Sequence, residues 1–151
     1  MARASAASPR LSLSIQSGDG APPWPVHRSR LRRWVCAALQ ADARIALRLV
    51  GAREGRELNR AFRGRDYATN VLTFAYESPQ GTLADIAICL PVVAREARAQ
   101  GKPLEHHLAH LVVHGVLHAQ GFDHDTDTHA RAMESRERQV LARFRVPDPY
   151  R

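Results

Sequence analysis

Residues 114–124, HGVLHAQGFDH, hold three histidines at fixed intervals, with Gly121 between the second and the third. Imidazoles four residues apart stand above one another on one helix face, so His114 and His118 can grip a single ion. Length excludes a third ligand from the same helix. His110 lies eight residues from His118, about 12 Å along the axis at ~1.5 Å per residue, whereas zinc–nitrogen bonds span only ~2.0–2.1 Å. The third ligand must come from a chain that turns back. Gly121 can adopt a left-handed conformation and return His124 to the helix end. Three neutral nitrogens leave one coordination position open, the catalytic rather than the structural arrangement of zinc.

One class of zinc proteases uses this spacing, with a glutamate directly after the first histidine to take a proton from water. Here that position is Gly115. Peptide hydrolysis would have to recruit Asp123 or another acid, while metal-assisted hydrolysis as such remains available. His110 reads either as a residue bonding behind a ligand or as a satisfied, half-buried histidine. His106 and His107 carry no specific signal.

Residues 104–120 form the clearest helix, with Leu104, Leu108, Leu111, Val112 and Leu117 as its apolar stripe and Gly121 as its stop. Alternation predicts strands over 11–16, 43–51, 70–76 and 83–90, the last two joined by the turn ESPQG. Helical spacing predicts helices over 26–40, 53–64 (closed by Gly64), Pro91 to about Gly101, and 128–144. The expected fold is a single α+β domain over residues 11–151. About four strands in a mixed sheet pack with about five helices, and the metal site lies at the end of a central helix. Residues 1–10, MARASAASPR, read as a frayed tail, being too short and lacking the apolar core of a targeting segment.

The net charge is +7, and nearly all the positive charge is arginine, Lys102 being the only lysine. Guanidinium groups pair with phosphates in a bidentate geometry, so this balance suits a polyanionic partner. A bias in genomic base composition would produce the same excess of Ala and Arg. No apolar run approaches the ~20 residues that cross a bilayer, so no membrane partner is expected. Cys36 and Cys89 are too few for a disulfide framework or a thiolate metal site, and a reducing, cytoplasmic compartment is the simplest reading.

The segment HLVVHGVLHAQGFDH (110–124) resembles the signature of the YbeY family, bacterial rRNA maturation factors described as zinc-dependent endoribonucleases. ELNRAFRGRDYATNVLTF (57–74) is similar to that family's Leu-Asn, then Arg, then Thr-Asp/Asn-Val-Leu-Ser-Phe block. LADIAIC (83–89) matches its Gly-Asp-Ile strand, and AMESRERQVL (132–141) its closing Met-Glu helix. The blocks span roughly residues 45–145 in the family's order. Ala84 stands where the family usually has glycine, and Thr73 replaces a serine but keeps the hydroxyl.

The resemblance implies one Zn²⁺ per chain on His114, His118 and His124, with Arg63 as the site arginine. It also implies single-stranded RNA as substrate, with 16S rRNA and the small ribosomal subunit as partners in 3′-end maturation and ribosome quality control; no DNA partner is expected. Position alone would make Arg63 a surface residue at a helix C-terminus; the resemblance makes it a clamp on the scissile phosphate. Asp123 is a candidate partner behind a metal ligand, and Asp123, Asp125 or a substrate phosphate could act as general base. Asn59 and Asn70 suit turns and caps. Asp85 reads as a structural acceptor or a partner of a ligand histidine, and Met133 and Glu134 pack and solvate the last helix. Two other readings compete: a metalloprotease-like hydrolase of the three-histidine type, and a non-catalytic, zinc-stabilised ribosome assembly factor.

Overall fold

The computed structural model describes residues 8–151, so residues 1–7 of the expected tail lie outside the described residues. The described residues form four strands and five helices, in the order β1 (Leu11–Ser17), α1 (Arg28–Ala38), β2 (Ala43–Val50), α2 (Ala52–Arg63), β3 (Val71–Tyr76), β4 (Thr82–Cys89), α3 (Leu90–Ala99), α4 (Leu104–Ala119) and α5 (Asp127–Ala142). The strands form one mixed sheet in the order β1-β2-β4-β3. β1 and β2, and β2 and β4, pair in parallel, whereas β3 lies antiparallel to β4 and forms an edge. Just before β1, the Arg10 amide donates to Asp42 Oδ1 at 2.8 Å, and the Ala43 amide donates to the Arg10 carbonyl at 2.9 Å.

Capping explains where the helices begin. His27 Nδ1 accepts from the Ser29 amide at 3.1 Å, so α1 begins after Val26 rather than at it. Thr126 accepts from the His129 amide at 3.1 Å and opens α5 at Asp127. Pro91 occupies the first turn of α3, where no intrahelical N–H is needed.

Strand alternation gives the sheet two unlike faces. Ile45, Leu47, Leu49, Ile86 and Ile88 point towards α1, α4 and α5 and form the main core with Leu31, Trp34, Leu108, Val112 and Leu141. A smaller cluster on the opposite face joins Val50, Leu72, Ala87, Cys89 and Val92, with Leu58 and Phe74 against it. α4 runs through the main core, and Leu108, Val112, Val113, Val116 and Leu117 are all inaccessible to solvent. Burial of this kind stabilises by about 1.5–3 kcal/mol per large side chain, which fixes the helix that bears the histidines. No helix among the described residues is long and apolar enough to cross a membrane.

Candidate metal centre

α4 ends in a motif that turns the chain back. Gly121 has φ 98°; its amide donates to the His118 carbonyl at 3.0 Å, and the Phe122 amide donates to the Leu117 carbonyl at 3.2 Å. These two bonds, with glycine in the positive-φ position, define a Schellman C-cap. The reversal brings His124 beside the helix it has just left. The ring centroids of His114, His118 and His124 form a nearly equilateral triangle, 6.3 Å (His114–His118), 6.0 Å (His114–His124) and 6.3 Å (His118–His124) on its sides.

The same turn orients a histidine. His118 Nδ1 lies 2.8 Å from the Phe122 carbonyl, which can only accept. Nδ1 therefore carries a proton, and in the neutral ring that leaves the lone pair on Nε2, the tautomer a metal requires. His114 Nδ1 stands 3.4 Å from Glu137 Oε2 on α5, a second acceptor that leaves Nε2 free. His124 is the exposed member; its amide donates to Asp123 Oδ1 at 2.7 Å, and its Nδ1 lies 3.8 Å from the same oxygen.

Glu137 has no solvent exposure, yet both of its oxygens are occupied. Oε2 accepts from His110 Nε2 at 2.6 Å, and Oε1 accepts from the Tyr150 hydroxyl at 2.8 Å. Burial favours the neutral acid, but hydrogen bonds from His110 and His114 and their charge outweigh it and hold the carboxyl down at about 2. Burial and then the Glu137 charge push the Tyr150 phenol well above its ordinary value, keeping it a donor. His110, His114 and Glu137 place one ligand atom each within 4.8 Å of one another, so this group could hold a metal. The 2.6 Å between His110 and Glu137 is, however, a hydrogen-bond separation. Two atoms sharing one tetrahedral zinc at ~2.0–2.1 Å would stand about 3.3 Å apart. As arranged, the trio is a proton-sharing network behind His114.

A cleft of about 400 Å³ opens beside the triangle, lined by His114, His118, His124, Arg63, Phe62 and the edge strand β3 from Val71 to Phe74. α2 delivers Arg63 there because Gly64, at φ 67°, ends the helix immediately after it. Arg56 and Arg60 of the same helix face Asp66 at 2.8 and 3.8 Å, whereas Arg63 is exposed in the cleft with no acidic partner among the described residues. No carboxylate lines this cleft.

Gly115 is explained by packing. A Cβ there would lie 3.0 Å from Ile86 Cγ2 and 3.3 Å from Thr73 Oγ1, so α4 crosses the sheet closely at this point. The position faces the sheet, and Thr73 Oγ1 donates to the Gly115 carbonyl at 3.4 Å. Of the other residues considered from sequence, Asn59 donates to the Tyr67 carbonyl, and Asn70 accepts from Val71 and donates to Glu96. Asp85 accepts from the Tyr76 hydroxyl at 2.9 Å on the sheet face away from α4, so it does not partner a ligand histidine. Met133 is buried, and Glu134 reaches Arg138 at 3.7 Å.

Sequence reasoning missed two contacts. His107 is buried against Glu96 at 2.9 Å. Glu137 lies between Met133 and Val140 on the inward stripe of α5, and a charge at helical spacing within an apolar stripe signals a buried, partnered carboxylate.

Comparison with known proteins places this geometry. The family model described as "Endoribonuclease YbeY" matches residues 26–145. The protein named Endoribonuclease YbeY from Aromatoleum aromaticum is 53% identical over 150 residues, covering 95% of each chain. Its namesake from Thiobacillus denitrificans is 52% identical over 145 residues, covering 95% of this chain and 98% of its own. The solution structure of TM1509 from Thermotoga maritima superposes with a TM-score of 0.55 at 26% identity, covering 92% of this chain and 99% of that one. The chain belongs to the endoribonuclease YbeY family.

Proposed function

We propose that this chain is a zinc-dependent, single-strand-specific endoribonuclease that acts in the cytoplasm on 16S rRNA. Its task is 3′-end maturation, assembly and quality control of the small ribosomal subunit. His114, His118 and His124 hold the metal, Arg63 is the catalytic arginine, and His110 and Asp123 support the ligands from behind. The observation that carries the reading is the union, in one cleft, of three convergent imidazoles and an arginine with no acidic partner among the described residues.

The donor set fits zinc. Two of the three rings have Nδ1 turned to an oxygen acceptor and Nε2 left bare, and all three are nitrogen donors of borderline softness. When bound, the metal supplies Lewis acidity and a nucleophile active near neutral pH. The chain's own groups do the rest. Arg63 binds the scissile phosphate through its N–H fork and offsets the charge that builds on the phosphoryl oxygens. Glu137 and the Phe122 carbonyl hold His114 and His118 in one orientation, so no reorganisation is needed during the reaction. The +7 chain draws a polyanion to the cleft. A peptidase reading lacks its base, because Gly115 faces the sheet and no carboxylate lines the cleft.

The deciding experiment compares zinc-loaded parent and His114→Ala proteins on a single-stranded RNA and on its duplex. Cleavage of the single strand by the parent alone is expected. Equal cleavage by His114→Ala would overturn the assignment of the metal to His114, and no cleavage by the zinc-loaded parent would leave a non-catalytic assembly factor in its place.

A further inference from the structure

Phe62 is an apolar side chain that the fold leaves in water. It is 64% exposed, although it sits on the last turn of α2 beside Arg63. Single exposed apolar residues are ordinary and need no explanation. Phe62, however, is paired. Its ring centroid lies 4.6 Å from that of Phe74 on edge strand β3, with the planes inclined at 56°, so the two rings brace each other at the lip of the cleft.

The pair also stands between two hollows. On one side is the cleft with the three histidines and Arg63. On the other, a hollow of about 380 Å³ runs between α2 and the sheet face opposite α4, with Phe62, Phe74, Tyr76, Ala46, Gln16 and Asp85 among its lining. The two differ in charge. The first offers Arg63 and no carboxylate, which suits a phosphate. In the second, Arg48 is engaged by Glu54 at 2.7 Å, and Asp85 adds a further acid. A phosphodiester would be repelled there, whereas a neutral planar group bearing N–H donors would be accepted.

We infer that the Phe62–Phe74 pair is a stacking platform for one unpaired nucleobase of the RNA, next to the phosphate held by Arg63. The base lies on the exposed face of Phe62, with its polar edge towards the hollow that contains Asp85. The inference rests on the ribonuclease reading of the same cleft and adds a physical reason for single-strand preference. A base within a duplex is already stacked on both faces and cannot reach the platform.

The test uses a single-stranded oligoribonucleotide carrying 2-aminopurine at successive positions, whose fluorescence is quenched on stacking. Full-length parent, Phe62→Leu and Phe62→Trp proteins are compared, the leucine keeping apolar contact with Phe74 and so the fold. The parent should quench one position strongly. Phe62→Leu should abolish that quench and weaken binding roughly 5- to 100-fold, the range of one base–aromatic stack. Phe62→Trp should restore both, and replacing the quenched nucleotide by an abasic one should make parent and Phe62→Leu bind alike. A Phe62→Leu protein that binds within twofold of the parent and still quenches would overturn the platform while leaving the nuclease intact. A parent that binds and quenches but never cuts would overturn the nuclease reading and keep the platform. A parent that does not bind the oligonucleotide would overturn both.

Discussion

Glu137 Oε2 stands 3.4 Å from His114 Nδ1, joining the last helix to the first histidine of the triangle. The carboxylate has no exposure and accepts in addition from His110 and Tyr150, so its position is set from three directions. Such a partner fixes the tautomer of a metal-binding imidazole and raises its basicity. Glu137→Gln should keep the fold but weaken zinc binding about 10- to 100-fold, measured by competition with a chromophoric chelator. His110→Ala should retain the ion, because its Nε2 is spent on Glu137. A Glu137→Gln protein with the parent's zinc affinity would show that the contact does not orient His114.

The same carboxylate makes the metal-free protein sensitive to acid. Its folded value of about 2 lies below the ordinary 4.5, so its contribution is complete above pH 4.5 and is lost as pH falls from there towards 2. The size of that contribution is up to about 3 kcal/mol. Urea unfolding of the metal-free parent should therefore show stability dropping across this window, and Glu137→Gln should show a shallower slope. Parallel curves for the two proteins would refute the linkage.

Gly115 leads to a prediction about packing. Restoring the protease pattern with Gly115→Glu would place a carboxylate against Ile86 and Thr73, where even a Cβ meets atoms at 3.0 and 3.3 Å. Overpacking costs about 1–3 kcal/mol, and an unpaired buried charge adds to it. A lowered midpoint of thermal unfolding is expected, without peptidase activity. An unchanged midpoint would mean that α4 can rise off the sheet freely.

Much of this was legible in the residues themselves. β1 and β2 alternate because one sheet face is buried under α1, α4 and α5, and period-2 burial writes itself into them as Leu11, Leu13, Ile15 and Ile45, Leu47, Leu49. The turn at Gly121 was readable for a similar reason, since a local backbone requirement selects a local residue type. What escaped depends on contacts between distant segments. Nothing near Glu137 in the chain announces that His110, His114 and Tyr150 will surround it. Gly115 was recognised as a missing base, but the close approach of Ile86 from another element is what accounts for it. Nothing next to Phe62 in the chain marks it out, because its exposure is settled by where Phe74 and the edge strand lie.

Association with single-stranded RNA should be strongly dependent on salt. Each phosphate neutralised by arginine releases counterions, with log affinity falling by ~0.7 per phosphate for each decade of salt on a single strand. A titration in which affinity stays constant over a several-fold range of salt would reduce the +7 charge to a matter of composition.

Arg63 provides the sharpest test of the division of labour in the cleft. It lies at the exposed end of α2, where Gly64 turns the chain away, and no described acid neutralises it. Removing its side chain therefore leaves no carboxylate unpaired and opens no core cavity, so Arg63→Ala should fold and load zinc as the parent does. What it loses is the fork of donors that, in the proposed reaction, binds the phosphate. The loss of one well-placed transition-state donor lowers turnover by roughly 10²–10³. Because a lone ammonium cannot reproduce the bidentate geometry, Arg63→Lys should recover binding more fully than it recovers turnover. Single-turnover cleavage at saturating RNA separates the two quantities, and zinc content and thermal midpoint serve as controls. An Arg63→Ala protein that cuts at the parent rate would assign the phosphate contact to another residue.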